Sequence, residues 1–361
     1  MHDRSEDIEL ARQFRASAIT SLPRAPLYAA LSTGIADDPD LYRLLLHTPT
    51  TQRLPVLLFA AAHDLLLGEQ NHRLAQWYPN LTEAHRNPGD PSLMPTFKQF
   101  LTERSAALQQ LLATRTTQTN EVGRCSIMLP VFGLLSEEVG PLGHLDVGAS
   151  GGLNLLLDQY QYHYNSRDGH ESGIVGDQSP VVMHTSTTGP LPIPTAMPQI
   201  VRRCGIDRSP IDITDDGEAR WLEACVWPDQ ADRFHRLQEA IEIARRNPPE
   251  VLAGDAVTSL EPAIEQIGRV AHPVVTNSWV LNYLTSQERV DYLAELERIG
   301  SARDLSWIYI EAPALIDELP TGPDPTDPHR TVLSMARWRN GKRTVEHLAT
   351  CHPHGFWIQW R

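Results

Sequence analysis

HLDVGASGGLN, residues 144–154, is the stretch on which the reading of the fold turns. Leu145 and Val147 have the alternation of a buried strand, and the LNLLL that follows has the apolar character of a helix start. Between them stand Gly148, Ala149, Ser150, Gly151 and Gly152. Small residues in succession let a backbone turn sharply, or let another group approach it closely. A strand, a glycine turn and a helix in that order also direct unpaired N–H groups toward a bound ligand. The spacing Asp146-x-Gly148-x-x-x-Gly152 departs from the G-x-G-x-x-G of dinucleotide binders. On these residues alone, a ligand turn and a plain tight turn of an α/β fold both stay open.

Working outward, the texture of the chain changes at this point. Residues 1–140 read as an all-helical N-terminal domain. DIELARQFRASAITS, PVLLFAAAHDLLL and TFKQFLTERSAALQQLLATR carry apolar residues at helical spacing, and RNPGDPS (86–92) is a turn cluster. From residue 141 to 361 strands and helices alternate. His144–Val147, Val251–Leu252, Pro273–Thr276 and Trp307–Ile310 read as strands, and Gly152–Asp158, Glu218–Arg246, Ser259–Ile267 and Ser286–Ile299 as helices. That alternation predicts an α/β domain with a parallel, doubly covered sheet. Residues 160–200, rich in Pro, Gly and Thr, read as an inserted hairpin and loop. TVLSMARW and TVEHLATC flank Asn340-Gly341, a favoured type I′ pair, so the sheet should end in an antiparallel hairpin.

Composition limits the partners. Among 361 residues, 41% are hydrophobic and 21% charged, enough apolar mass for a sizeable core. A net charge of −14, with Lys98 and Lys342 the only lysines, speaks against nucleic acid, whose phosphates demand basic side chains. Cys125, Cys204, Cys225 and Cys351 form no C-x-x-C pair, so neither a disulfide framework nor a zinc site is expected. The most apolar run, LPVLLFAAAHDLLLG, is broken by His63 and Asp64 and is too short to span a bilayer. MHDRSEDIELARQF lacks the apolar core of a secretory signal. The expectation is a cytoplasmic protein with a small-molecule substrate, and neither a membrane nor a nucleic-acid partner.

Several polar residues sit where strands end. Asp207 in GIDRSP would close the second strand, where a carboxylate can accept both ribose hydroxyls; the usual separation is roughly 20 residues. Here the separation is far longer, so Asp207 qualifies only if 160–200 is an insertion, and an ordinary loop is the alternative. Asp255 in Gly254-Asp255-Ala256 either accepts from a purine amino group or caps the next helix. Thr276, Asn277, Ser278 and Trp279 form the segment that leads out of the fourth strand toward the ligand edge, with Tyr283 one turn on. Glu311 ends the fifth strand, at the carboxyl edge where ligands gather, and could act as base or bind a substrate cation. In TQTNEVGR (117–124), Thr119 or Asn120 caps a helix from Val122 to Leu134, or Glu121 and Arg124 reach over the cleft. His352 and His354 in CHPHG point to a structural turn and not to a metal. If a base is needed, Glu311, His329, His352 and His354 are the candidates.

LDVGASGGLN, GDA and the antiparallel C-terminal hairpin resemble the class I S-adenosylmethionine-dependent methyltransferases, which favour an acid two residues before the first glycine. TRTTQTNEVGRC, LDVGASGGLNLLLD, WLEACVWPDQ, SWVLNYL and HPHGFWIQW are further similar to an uncharacterised bacterial family common in actinobacteria, over nearly the whole chain. The resemblance implies a Rossmann-like α/β fold and S-adenosylmethionine as cofactor. It implies a cofactor site made of Asp146, which would hold the methionine amino group, with Gly148, Ser150, Gly152, Asn154, Asp207, Asp255, Ala256, Asn277, Ser278, Trp279, Glu121 and Arg124. Glu311, Tyr283 and His354 are the catalytic candidates. Methyl transfer is an in-line displacement that needs alignment and a dry site. A base is required only when the nucleophile must lose a proton. The implied activity is methylation of a small molecule; a nicotinamide-dependent oxidoreductase and a non-catalytic methyltransferase-like binding protein are the rivals.

Overall fold

The computed structural model describes residues 4–313, 315 and 331–361, and the chain divides into two compact units. The first unit joins residues up to Thr119 to Thr214–Gln238. Its described residues form helices at Arg4–Ser21, Pro26–Ala36, Pro39–Tyr42, Pro55–Leu67, Leu93–Glu103, Ser105–Thr114 and Asp216–Ala224, and no strand. Three of these begin on proline, whose fixed φ suits a first turn and whose missing N–H is not needed there. Pro55–Leu67 is buried on nearly every face and carries His63 and Asp64 inside. Asp64 meets Arg220 at 3.1 Å, and His63 Nδ1 lies 3.0 Å from the Ala224 carbonyl oxygen. The helix expected over Glu218–Arg246 is in fact two, Asp216–Ala224 and Ala231–Arg246. Pro228 lies between them, where it can neither donate to a helical ladder nor clear the preceding turn.

The second unit, Asn120–Ile213 with Glu239–Arg361, is built on one eleven-stranded sheet. In chain order its strands are β1 (Leu142–Val147), β2 (Gln161–Ser166), β3 (Gly173–Val175), β4 (Val182–Thr188), β5 (Ile200–Asp207), β6 (Val251–Ala253), β7 (His272–Ser278), β8 (Leu305–Glu311), β9 (Thr331–Arg339), β10 (Lys342–Cys351) and β11 (Trp357–Trp360). Across the sheet they lie β3-β2-β4-β11-β10-β9-β8-β7-β1-β5-β6. The block β6-β5-β1-β7-β8 is parallel throughout. Numbered by their own order in the chain, its strands lie 3-2-1-4-5, so the order reverses between β1 and β7. β9 and β10 are antiparallel around Asn340 (φ 50°) and Gly341 (φ 72°), both left-handed as a type I′ turn requires.

Residues 160–200 contribute more than a hairpin and loop. β2 and β3 form an antiparallel pair, while β4 runs parallel to β2 and also to β11, which joins all three to the main sheet. Tyr162 and Tyr164, then Thr185 and Thr187, are buried at alternate positions. Their period of two marks strands that the surrounding Gly, Pro and Thr obscure.

β1, β7 and β8 are buried almost along their whole lengths, because both faces of the sheet are covered. On one face Leu145 and Val147 join Ile206, Val275 and Trp307 in a core with Ile264, Ile267 and Leu296 of the helices Leu260–Gly268 and Ser286–Ala302. The latter helix starts in a capping box, in which Thr285 and Glu288 satisfy each other's backbone N–H. By strand alternation His144 and Asp146 face the other way, where Phe132 of the helix Cys125–Val139 meets the His144 ring edge-on at 4.9 Å. Among the described residues no helix is long and apolar enough to cross a membrane.

Candidate functional site

The turn after β1 holds three left-handed residues, Gly148 at φ 76°, Ser150 at φ 53° and Gly152 at φ 74°. Both glycines are demanded by the protein itself. A Cβ on Gly148 would stand 2.4 Å from Cγ2 of Val280, and one on Gly152 would stand 2.7 Å from Cγ of Pro249. The turn is therefore sharp, and what approaches it closely is neighbouring side chain. Its backbone donors are engaged as well. Ile206 O accepts from Gly148 and Ala149, Ala149 O accepts from Gly152, and Asp207 Oδ2 accepts from Ser150 at 2.8 Å. Oδ1 of Asn120 accepts from Gly151 at 3.1 Å and from Leu153 at 3.2 Å. Every N–H from Gly148 to Leu153 thus has a protein acceptor. The helix expected at Gly152–Asp158 is a 3-10 stretch, Leu153–Gln159. The Ser150 hydroxyl stands apart, buried and with no hydrogen-bond partner in the protein.

Beside this turn the unit concentrates its buried charge. Among its described residues, the Asp, Glu, Arg and Lys side chains that are fully buried are Glu121, Arg124, Asp146 and Glu311, at 3, 5, 2 and 1% exposure. Such groups are almost never buried without a specific partner. Arg124 Nε donates to Pro353 O at 2.9 Å, and its Nη1 donates to the carbonyl and hydroxyl of Ser278 at 2.8 and 3.2 Å. Its charge favours ionisation of both Asp146 and Glu311. Glu121 Oε1 caps Gly123 N at 3.0 Å, and its Oε2 lies 3.1 Å from Nδ1 of His354.

Asp146 accepts from Thr276 Oγ1 at 2.7 Å, and Thr276 Oγ1 lies 2.8 Å from His144 Nε2. Burial outweighs this hydrogen bond and the pull of Arg124, and pushes the Asp146 carboxyl up to about 7. The same desolvation keeps His144 neutral, pulled down to about 3. Glu311 ends β8 with Oε1 accepting from Asn277 Nδ2 at 2.7 Å, Val280 N at 2.8 Å and Leu281 N at 3.3 Å. Burial pushes it, too, up to about 7 against those donors. Its Oε2 is buried and has no hydrogen-bond partner in the protein.

The remaining expected residues divide. Asn277 is committed to the fold: its Oδ1 also accepts from Trp307 Nε1 at 2.5 Å and from the Tyr292 hydroxyl at 3.4 Å. Trp279 is left-handed at φ 56°, held by Trp279 N to Ile310 O and by Nε1 to Thr331 Oγ1 at 3.1 Å. Asp207 Oδ1 accepts from Ser209 N at 2.8 Å, which leaves each of its oxygens one further lone pair. Asp255 Oδ1 accepts from Val257 N at 2.9 Å, and its Oδ2 pairs with Arg208 at 2.9 Å. Ala256 and Asn154 are buried, the latter with Oδ1 3.6 Å from Cys125 Sγ. Tyr283 is 72% exposed. His329 lies outside the described residues. Two residues with a part in the site were not foreseen in it: Asn120 as the clamp on the glycine turn, and His144, which stands with Thr276 behind Asp146. A histidine in an otherwise apolar strand was the only local signal among them.

The family described as an uncharacterized protein conserved in bacteria (DUF2332) matches residues 11–360. No curated protein and no solved structure matches.

Proposed function

The chain belongs to that bacterial family, and from its site we propose an S-adenosylmethionine-dependent methyltransferase of Rossmann-like class I fold, acting on a small-molecule acceptor. The observation that carries this reading is the convergence of Glu121, Arg124, Asp146 and Glu311 where the strand order reverses. In doubly wound sheets the crevice at the carboxyl ends of the strands, at that reversal, is where ligands bind. Three carboxyls against one guanidinium suit a ligand that carries positive charge, as the methyl donor does in its ammonium and sulfonium groups.

The glycine turn supports this reading over that of a nicotinamide enzyme. A dinucleotide pyrophosphate is held by free N–H groups at a helix start. Here the N–H groups from Gly148 to Leu153 are occupied, and a 3-10 stretch follows them. The methyl donor has no phosphate and makes no such demand. Asp146 would accept from its amino group, Asp207 from ribose hydroxyls through the remaining lone pairs, and Asp255 from the purine amino group. Ser150 Oγ offers an unused donor and acceptor beside them. When bound, the sulfonium supplies the methyl group. The chain's part is alignment and exclusion of water, for which buried residues around Arg124 are suited.

Calorimetry of the full chain with S-adenosylmethionine, S-adenosylhomocysteine and NAD tests the reading. The two adenosyl compounds should bind and NAD should not. Asp255→Asn, which keeps an acceptor for Val257 N, should weaken both about tenfold, or about 1.4 kcal/mol, with stability changed by less than about 0.5 kcal/mol. Tight binding of NAD with none of the methyl donor overturns the proposal. Donor binding with no turnover on any acceptor supports the non-catalytic rival.

A further inference from the structure

We propose that Glu311 is the docking point for a protonated nitrogen, so that the methyl acceptor is an amine and not an alcohol, carboxylate or phosphate. The naming of this amine as the acceptor rests on the methyltransferase reading; the cation site itself does not. Glu311 stands at the end of β8 with its carboxylate divided in two. Oε1 is saturated by three N–H donors, from Asn277, Val280 and Leu281. Oε2 is enclosed, on a residue 1% exposed, and receives nothing from the protein. Leaving a buried polar atom unpaired costs about 1–3 kcal/mol, and more when it is charged. No protein donor has been supplied to it. A ligand donor completes it.

Charge decides which donor. Glu121 lies against His354, while Asp146 and Glu311 both feel the one guanidinium of Arg124; when both are ionised they leave a surplus of negative charge that a cationic donor offsets and an anionic one aggravates. A hydrogen bond between two charged groups is also roughly twice as strong as one between neutral groups. The position fits the reaction. Val280, whose N–H binds Glu311 Oε1, presses its side chain on Gly148, so the Glu311 carboxyl and the glycine turn are separated by one residue's packing.

Glu311 can then do more than bind. A protonated amine has no free electron pair. Transfer of its proton to Oε2 breaks an N–H bond, forms an O–H bond and leaves the pair on nitrogen. The groups that set this proton affinity are the three N–H donors on Oε1, from Val280, Asn277 and Leu281, and the charge of Arg124, all of which favour the carboxylate against burial. Burial holds the carboxyl near neutrality, where proton exchange with an amine is most effective.

The test is calorimetric and needs no donor. The full chain is titrated with benzylamine, butylamine and putrescine, and in parallel with benzyl alcohol, 1-butanol and 1,4-butanediol, near pH 8. At least one amine should bind tenfold or more tighter than its alcohol, and Glu311→Gln, which keeps the Oε1 acceptor, should erase that preference. Equal binding of amines and alcohols, binding of neither, or a preference that survives in Glu311→Gln overturns the proposal; the first two comparisons use the native chain and do not depend on the variant's folding. With S-adenosylmethionine added, mass spectrometry should find the preferred amine methylated and the alcohol untouched, with kcat falling about 100-fold or more in Glu311→Gln. Amine selectivity without donor binding rejects the methyltransferase reading and leaves the cation site standing. Donor binding without amine selectivity does the reverse.

Discussion

Asp146→Asn separates what a buried carboxyl costs the fold from what it does for a ligand. Asparagine keeps the side-chain shape and the Oδ1 acceptor for Thr276, and removes only the ionisation. In the folded chain burial raises the Asp146 carboxyl from 3.8 to about 7, with Thr276 and Arg124 pulling down and Asp207 pushing up. Between those values the folded state holds a proton that the unfolded state has released. Stability therefore falls as pH rises through this window, because the unfolded state binds fewer protons. Each pH step costs about 1.4 kcal/mol. From about pH 5 to pH 8.5 the native chain should lose roughly 3 kcal/mol through this group alone. The variant lacks that loss, so its stability relative to the native chain should rise by the same roughly 3 kcal/mol across the interval. Amide hydrogen exchange of Leu142–Val147 reports this unit's opening, with both proteins compared at each pH. A stability difference that stays constant from acid to alkali refutes the argument, since the carboxylate would then be ionised and satisfied in the fold. The same variant should bind the methyl donor more weakly while being the more stable protein at alkaline pH. That opposition is expected where a residue is kept for binding.

Two further perturbations address the turn. Gly148→Ala adds a Cβ at 2.4 Å from Val280 in a left-handed conformation, and should cost roughly 2–4 kcal/mol in urea unfolding; an unchanged midpoint contradicts the packing described. Asn120→Ala strips the acceptor from Gly151 N and Leu153 N, which should cost about 1–3 kcal/mol for each donor left buried. Hydrogen exchange should show residues 148–153 losing protection before β1 does, and uniform loss across both segments would show that Asn120 is no local clamp.

How much of this was legible beforehand depended on the range over which each interaction acts. The parallel strands β1, β7 and β8 announce themselves, because strands covered on both faces are written as short apolar runs between helices. The β9–β10 hairpin is carried by two adjacent residues, Asn340 and Gly341, so its signal is wholly local. β2, β3, β4 and β11 were obscure for the opposite reason. β4 finds β11 across some 170 residues of chain, and neither four-residue β11 nor three-residue β3 carries enough period to be read alone. The site shows the same division. Asp146 and Glu311 could be placed on strands and Glu121 and Arg124 at a helix start, yet their burial together depends on contacts such as Arg124 to Pro353 and to Ser278, which no local pattern encodes. Asn277 illustrates the converse error of range. Its position after the fourth strand suggested a ligand contact, while Trp307 and Glu311, both distant in sequence, consume its amide.

The glycines and the charges therefore bear differently on function. Gly148 and Gly152 are fully explained by φ and by the side chains pressed against them, so any protein with this turn would need them, whether or not it bound anything. The carboxyls admit no such account. Packing does not require Asp146 or Glu311 to be ionisable, since their amides would serve Thr276 Oγ1 and Val280 N as acceptors equally well. Ionisable side chains in those positions lower the stability of the fold at alkaline pH. A proton or a cationic ligand group can neutralise each, and the two compete for the same oxygens. Binding of such a ligand should thus expel protons, and its affinity should strengthen as pH passes upward through about 7. On the proposed reading, the unstable choice of residue is kept for a cationic ligand group that displaces the proton.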